Sequence, residues 1–237
     1  MHTFSVDKAH IVFGDATAAI RPREHRGTII SPDALLGSLP HRPQQLVVQH
    51  QVHGTAGLIV DAITIAQYQS ALTHESDFLV TAVRQIGIAV LTADCTPIVV
   101  IDPEKNVVGI AHAGWKGSVA AIAIQMVRTM EQLYGCNKNS LQIVFGPAGR
   151  FCCYQVQPDF IENLHSFANA AQAIQYRNNN IYFDAVTFNC LLLQEYGIAN
   201  NQLITKYADC TICNPLYCSH RRSAAAPDRQ MSIVWLY

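Results

Sequence analysis

Residues 92–117 read TADCTPIVVIDPEKNVVGIAHAGWKG. Two largely β-branched runs, 98–101 and 107–110, flank Pro103-Glu104-Lys105-Asn106, which has turn chemistry. The stretch predicts a buried strand, a tight turn, a second buried strand and the start of a helix. A turn centred between Glu104 and Lys105 places His112 opposite Pro97. Alternate side chains share a face of a strand, so Cys95 lies on the face of Pro97 and therefore on that of His112. Diagonal neighbours across two strands are about 7–8 Å apart. One metal ion spans that gap, because zinc–sulfur and zinc–nitrogen bonds are each about 2.0–2.3 Å. Pro97 is the point where a bend or bulge would shift the register.

The chain has 237 residues, of which 50% are hydrophobic and 14% charged. That is enough apolar material for a sizeable core, and it excludes disorder as the dominant state. The formal net charge is −1, so neither nucleic acid nor an anionic membrane is expected as partner. The first residues, MHTFSVDKAHIVFGD, show no basic segment followed by an apolar one, and no apolar run approaches a membrane span. A cytoplasmic location is expected. The eight cysteines are then expected as reduced thiols or metal ligands rather than disulfides.

Along the chain, residues 10–13 read as an edge strand. Residues 21–27, RPREHRG, read as a solvated basic loop, and Ser31-Pro32-Asp33 opens a short helix. Strands are expected over 46–53, ending at Gly54, and over 58–65, 77–81 and 86–91. Residues 118–133 give the clearest helix, apolar and closed by Gly135. A strand over 141–145, a helix over 158–167 and a helix over 185–196 with Asp184 as N-cap follow. Strands over 203–206 and 231–236 end the chain. The expected fold is α/β: one domain over residues 1–237, a mixed β-sheet with helices packed on it.

His53, Cys95 and His112 each sit beside glycine or proline at an expected strand end. Three protein ligands with an open position make the catalytic zinc pattern. Spacing alone favours a small buried Cys95 and two core histidines; only the hairpin geometry argues for a metal. Cys210-x-x-Cys213 offers half of a structural zinc site. The vicinal pair Cys152-Cys153 would have to complete it, so ordinary reduced cysteines are expected. Ser219-His220-Arg221-Arg222 suits an anion or a solvated basic turn. Gly114-Trp115-Lys116-Gly117 presents free backbone N–H groups and a lysine at a helix start, another anion site, with Trp115 expected in the core.

Gln51-Val52-His53-Gly54, residues 92–97, residues 112–117, Gly146-Pro147-Ala148 with Cys153-Tyr154-Gln155-Val156, Cys210-Thr211 and Ser219-His220-Arg221-Arg222 occur in this order. Together they resemble the YfiH/laccase-domain family of purine nucleoside phosphorylases, long labelled multicopper polyphenol oxidases. The resemblance implies a YfiH-like (cytotoxic necrotizing factor-like) α/β domain and zinc held by His53, Cys95 and His112. It implies phosphorolysis of adenosine, inosine, guanosine and methylthioadenosine, and hydrolytic deamination of adenosine. Nucleosides and phosphate are then the partners. Lys116, which stands where the family usually has arginine, and Arg221 or Arg222 would hold phosphate. Asp77 would shuttle protons, since strand parity turns Asp94 away from Cys95. Two other readings use the same residues. One is a copper-dependent polyphenol oxidase (laccase). The other is a cysteine hydrolase acting on a cell-wall amide, with Cys95 as nucleophile and His112 as base.

Overall fold

The computed structural model describes residues 1–20, 29, 30, 37, 42–67, 75–223 and 228–237. The basic loop over 21–27 and the short helix expected after Ser31 fall outside them. The strands in chain order are β1 (His2–Val6), β2 (Ala9–Phe13), β3 (Ile29–Ile30), β4 (Gln45–Val48), β5 (Gly57–Ile59), β6 (Phe78–Thr81), β7 (Ile86–Thr92), β8 (Thr96–Asp102) and β9 (Val107–Ala113). They continue with β10 (Gln142–Phe145), β11 (Gln155–Val156), β12 (Ile174–Arg177), β13 (Asn180–Phe183), β14 (Leu203–Ile204) and β15 (Gln230–Leu236). The α-helices are α1 (Ala62–Gln67), α2 (Trp115–Val119), α3 (Ile122–Tyr134) and α4 (Ala185–Glu195). None of the described helices is long and apolar enough to cross a membrane.

The expected mixed α/β architecture is present, with its strands divided among three sheets. One six-stranded sheet has the order β1-β2-β15-β7-β4-β3, another the order β14-β10-β8-β9-β6-β5, and β11-β13-β12 form a small third sheet. The pairs β4/β7, β5/β6 and β10/β14 are parallel. The two large sheets pack face to face: Ile11, Phe13, Ile88, Val90 and Val234 of the first meet Leu79, Val99, Ile101, Val108 and Ile110 of the second. The other face of the second sheet carries Val80, Ile98, Val100 and Ala111, which pack against Met126, Val127 and Met130 of α3 and Val186 and Leu193 of α4. These strands are buried on both faces, so they read as near-continuous apolar runs rather than alternating ones.

The central hairpin has the register read from its turn. Pro97 pairs with His112, and the ladder runs without a bulge from Thr96↔Ala113 to Asp102↔Val107. Asp102 fixes the turn, its Oδ1 accepting from the backbone N–H of Glu104 and Lys105 at 2.9 Å each. Parity then places His112 with Val108 and Ile110, on the face turned toward the first sheet, at the end of its strand.

Other expectations are corrected. β2 is not an edge strand, because β1 lies outside it. The strand expected over 46–53 stops at Val48, and the one over 58–65 stops at Ile59 and gives way to α1. Gln51 ends the first of these by bonding both the carbonyl and the N–H of Leu91 through its amide, at 2.8 and 2.7 Å. The long helix is broken into α2 and α3 at Ala121, which takes a left-handed φ of 58°. α3 ends as expected at Gly135, also left-handed. Residues 158–164 form a 3-10 helix rather than an α-helix. Asp184 does cap α4, accepting from the Thr187 N–H at 2.9 Å.

Because Asp102 closes the hairpin that sets this register, Asp102→Ala should lower stability by roughly 1–3 kcal/mol, the range for losing hydrogen bonds to a charged group. Chemical denaturation checks this; an unchanged midpoint and slope would show that the apolar ladder holds the register alone.

Candidate functional site

His53, Cys95 and His112 come together, their donor atoms all within 4.8 Å of one another. They reach this point by three different routes. His112 is delivered by the end of β9. Cys95 lies in the turn before β8, just after Asp94, whose φ is 80°. His53 lies in a loop, not on the strand expected over 46–53, with a left-handed φ of 62°. Its Nε2 is 3.9 Å from the Cys95 sulfur, and its ring meets that of His112 edge-on at 4.7 Å between centroids. Gly114 makes the approach possible: a Cβ there would lie 2.8 Å from His53 Cδ2 and 3.2 Å from the Cys95 sulfur.

Asp77 sits behind this group and is fully buried. Its Oδ1 accepts from His112 Nδ1 at 2.8 Å and from the backbone N–H of His53 at 3.0 Å. Its Oδ2 accepts from the N–H groups of Gly54 at 2.6 Å and Val52 at 3.2 Å. Burial raises the Asp77 carboxyl, but the bonds from His112 and Gly54, the His112 charge and the Val52 bond together hold it below the usual range. Without a metal, burial pushes the Cys95 thiol up, yet the neighbouring His112 charge and the hydrogen bonds of both histidines bring it down overall. Burial pulls His112 down, and the Cys95 and Asp77 charges raise it overall.

This donor set fits a metal ion. The Asp77 bond occupies His112 Nδ1 and leaves Nε2 for a ligand role, the usual carboxylate–histidine–metal order. A sulfur–nitrogen separation of 3.9 Å suits two ligands about 2.0–2.3 Å from one tetrahedral ion. Asp77 thereby takes a positioning place rather than one facing a substrate, since none of its surface reaches solvent.

Two cavities open beside the three donors. One, of about 280 Å³, is lined by Gln49, Leu91, Ala93, His112 and Arg229 as well as His53 and Cys95. The other, of about 440 Å³, shares His53, Cys95 and His220 with the first and adds Trp115, Lys116, Tyr154 and Arg221. Arg221 lies over the Tyr154 ring at 4.6 Å and donates to the Gln155 carbonyl at 2.9 Å. Arg222 is placed differently: its guanidinium donates to the carbonyls of Thr211, Ile212, Asn214 and Tyr217 and so ties the 211–217 loop together. Asp94, in the turn rather than on a strand, points its carboxylate to the C-terminal loops. It accepts from Thr211 Oγ1 and from the Arg221 N–H, both at 2.7 Å. Trp115 is half-buried at the cavity wall and packs edge-on against Phe160. Gln49 and Tyr154 were not singled out from the sequence. A buried glutamine at a strand end and a tyrosine beside a vicinal cysteine pair are weak signals until the loops are placed.

The family model for multi-copper polyphenol oxidoreductase laccase matches residues 31–237. The chain belongs to this family. It is 33% identical over 171 residues to the Bacillus subtilis protein named Purine nucleoside phosphorylase YlmD, a match covering 71% of this chain and 61% of that one. It is 30% identical over 218 residues to the human protein named Purine nucleoside phosphorylase LACC1, covering 84% of this chain and 50% of that one. The chain thus spans about half to three-fifths of the length of these two relatives. The crystal structure of the Bacillus licheniformis hypothetical protein YfiH superposes with a TM-score of 0.75 at 29% identity, covering 86% of this chain and 78% of that one.

Asp77→Asn keeps the size of the side chain but sets an NH2 group against N–H donors. Metal affinity at the three-donor site should fall about 10–100-fold, the usual cost of losing such a partner. Competition with a chelator measures this; equal affinity in the two proteins would remove Asp77 from the account of the site.

Proposed function

We propose that this chain is a zinc-dependent purine nucleoside phosphorylase whose metal is held by His53, Cys95 and His112. The observation that carries the reading is the convergence of these three donors, with Asp77 behind His112, between two cavities of unlike lining. The names of the relatives supply the substrate class. When bound, zinc supplies Lewis acidity at the junction of the two cavities.

The protein's own groups divide the remaining work. Lys116 and Arg221 line the larger cavity beside Trp115 and Tyr154 and hold phosphate by charge-assisted bonds. Arg222 is engaged by four carbonyls and serves to shape the loop that presents Arg221. In the smaller cavity Gln49 is buried, its Oε1 accepting from Ser76 at 3.0 Å while its Nε2 has no partner among the described residues. Asp77 keeps His112 oriented and takes no proton from substrate. Adenosine, inosine, guanosine and methylthioadenosine are the expected substrates. Deamination of adenosine belongs to the same reading as a second reaction, in which water replaces phosphate and attacks the base rather than the ribose.

Zinc is preferred to copper on the donor set. Laccase chemistry needs several coppers and many histidines, whereas this group offers two histidines and one cysteine. Among the described residues, the other group of potential ligands consists of four cysteines rather than more histidines. The order Cys95–His112–Asp77 also favours a second reading, a cysteine hydrolase with His112 as base. The second histidine within 3.9 Å of the thiol is unnecessary to such an enzyme and useful to a metal.

Product analysis of a nucleoside panel with and without phosphate tests the proposal. Free base and ribose phosphate should appear in proportion to phosphate and vanish on metal removal. Base release that ignores phosphate would sink the phosphorolysis reading. Turnover that survives metal removal but stops on Cys95 alkylation would favour the hydrolase. Arg221→Ala should raise the phosphate requirement by about one to two decades, from roughly 1.5–3 kcal/mol of lost charge-assisted bonding. Arg222→Ala should lower thermal stability and leave the phosphate dependence of the surviving activity unchanged.

A further inference from the structure

Two sequence features left without a role meet about the 148–156 and 209–214 loops. Cys152 and Cys153 were expected to be ordinary thiols, as were Cys210 and Cys213. The fold instead brings the four sulfurs within 4.8 Å of one another. The meeting is built by backbone: Ala148 and Cys210 form a parallel bridge, with Ala148 donating to Asp209 and Thr211 donating back to Ala148, both at 3.0 Å. Cys152 and Cys213 sulfurs are 3.8 Å apart. A disulfide would require about 2.05 Å, and all four cysteines are free. By contrast, four sulfurs about 2.3 Å from one tetrahedral ion are separated by roughly 3.8 Å.

We infer that Cys152, Cys153, Cys210 and Cys213 form a second metal site, a closed tetrathiolate site for one structural zinc ion. Cys210-x-x-Cys213 has the short spacing usual for one half of such a site. Arg177 donates to the Cys152 carbonyl at 2.9 Å, setting a positive charge beside a centre whose four thiolates outweigh the charge of the ion. Each thiol gives its proton to solvent as it binds.

Four protein ligands leave no open position, so this ion holds structure rather than substrate. What it holds is the wall of the larger cavity. Cys153 precedes Tyr154, on which Arg221 stacks. Cys210 precedes Thr211, which bonds Asp94 beside Cys95. Gly149 donates to the Asp94 carbonyl at 2.9 Å. One ion would therefore cross-link the loop that carries Tyr154 to the 209–214 loop and tie both to the turn bearing Cys95.

The test is metal analysis and cobalt substitution of the full chain, with variants that separate the two sites. Wild type should carry about two zinc ions per chain, given four ligands at one site and three at the other. Cys95→Ala leaves the four cysteines untouched. It should keep about one, and its cobalt form should show the intense charge-transfer and d–d bands of a tetrahedral all-sulfur site. Cys213→Ser should lose the all-sulfur spectrum and retain the ion at His53, Cys95 and His112. In folded wild type, the four thiols should resist alkylation until the metal is stripped. A Cys95→Ala protein that is folded yet free of metal would overturn the inference. So would a Cys152–Cys213 disulfide in protein purified with zinc present, or a Cys213→Ser protein with the wild-type metal content. Loss of only the three-donor ion from wild type would count against the catalytic reading and leave this one standing.

Discussion

The carboxylate of Asp77 is the interaction on which the site depends. Four N–H groups from two distant parts of the chain converge on it: three successive backbone donors from Val52, His53 and Gly54, and the ring of His112. A buried charge is tolerated only when its hydrogen-bonding capacity is met, and here meeting it also holds His53 in a left-handed conformation that costs an ordinary residue of order 1–3 kcal/mol. The same atoms fix which His112 nitrogen remains for a ligand. One buried group thus sets the backbone of one ligand and the tautomer of another.

The fold makes this possible by ending strands early at one rim. β4 stops before the His53 loop, β7 and β8 are separated by the turn bearing Cys95, and β9 ends at Ala113, one residue after His112. The two large sheets fill the space between them with aliphatic side chains along most of their length. At this rim polar residues replace them, and the gap becomes the smaller cavity. Asp94 mirrors Asp77 on the outer side: its carboxylate gathers Thr211 and the Arg221 N–H, bringing the C-terminal loops over the larger cavity. Two aspartates thereby anchor the site from opposite directions, and Gly114 leaves the space in which His53 and Cys95 approach.

The sequence was most legible where local chemistry decides geometry. The turn at Asp102–Asn106 determined the hairpin register and so the pairing of Pro97 with His112; Cys95 lies in the turn before β8, beyond the reach of strand parity. Asp184 and Gly135 marked helix ends for reasons of capping and left-handed backbone. It was least legible where distant residues decide. His53 lies in a strained turn because of Asp77, which no local pattern announces. Ala121 breaks a helix that its composition favours. Ser118, just before the break, accepts a bond from Asn189 of α4 at 2.8 Å, a tertiary tie that local sequence does not reveal. The four-cysteine group could be named from the sequence but not supported by it, for the same reason: its halves are far apart in sequence and are joined through the bridge between Ala148 and Cys210. Asp77 was expected from the sequence as a proton shuttle; its burial behind His112, which gives it the geometry of a positioning group, is a tertiary feature that no local pattern announces.

The central claim is that Asp77 assembles His53, Cys95 and His112 into one metal site. The most direct measurement is a crystal structure of zinc-loaded protein with anomalous diffraction at the zinc edge. The expected result is a peak within bonding distance of His53 Nε2, the Cys95 sulfur and the His112 nitrogen not bonded to Asp77, with the Asp77–His112 bond intact. A fully loaded crystal with no peak there, or with the ion bound directly to Asp77 in place of His112, would contradict it.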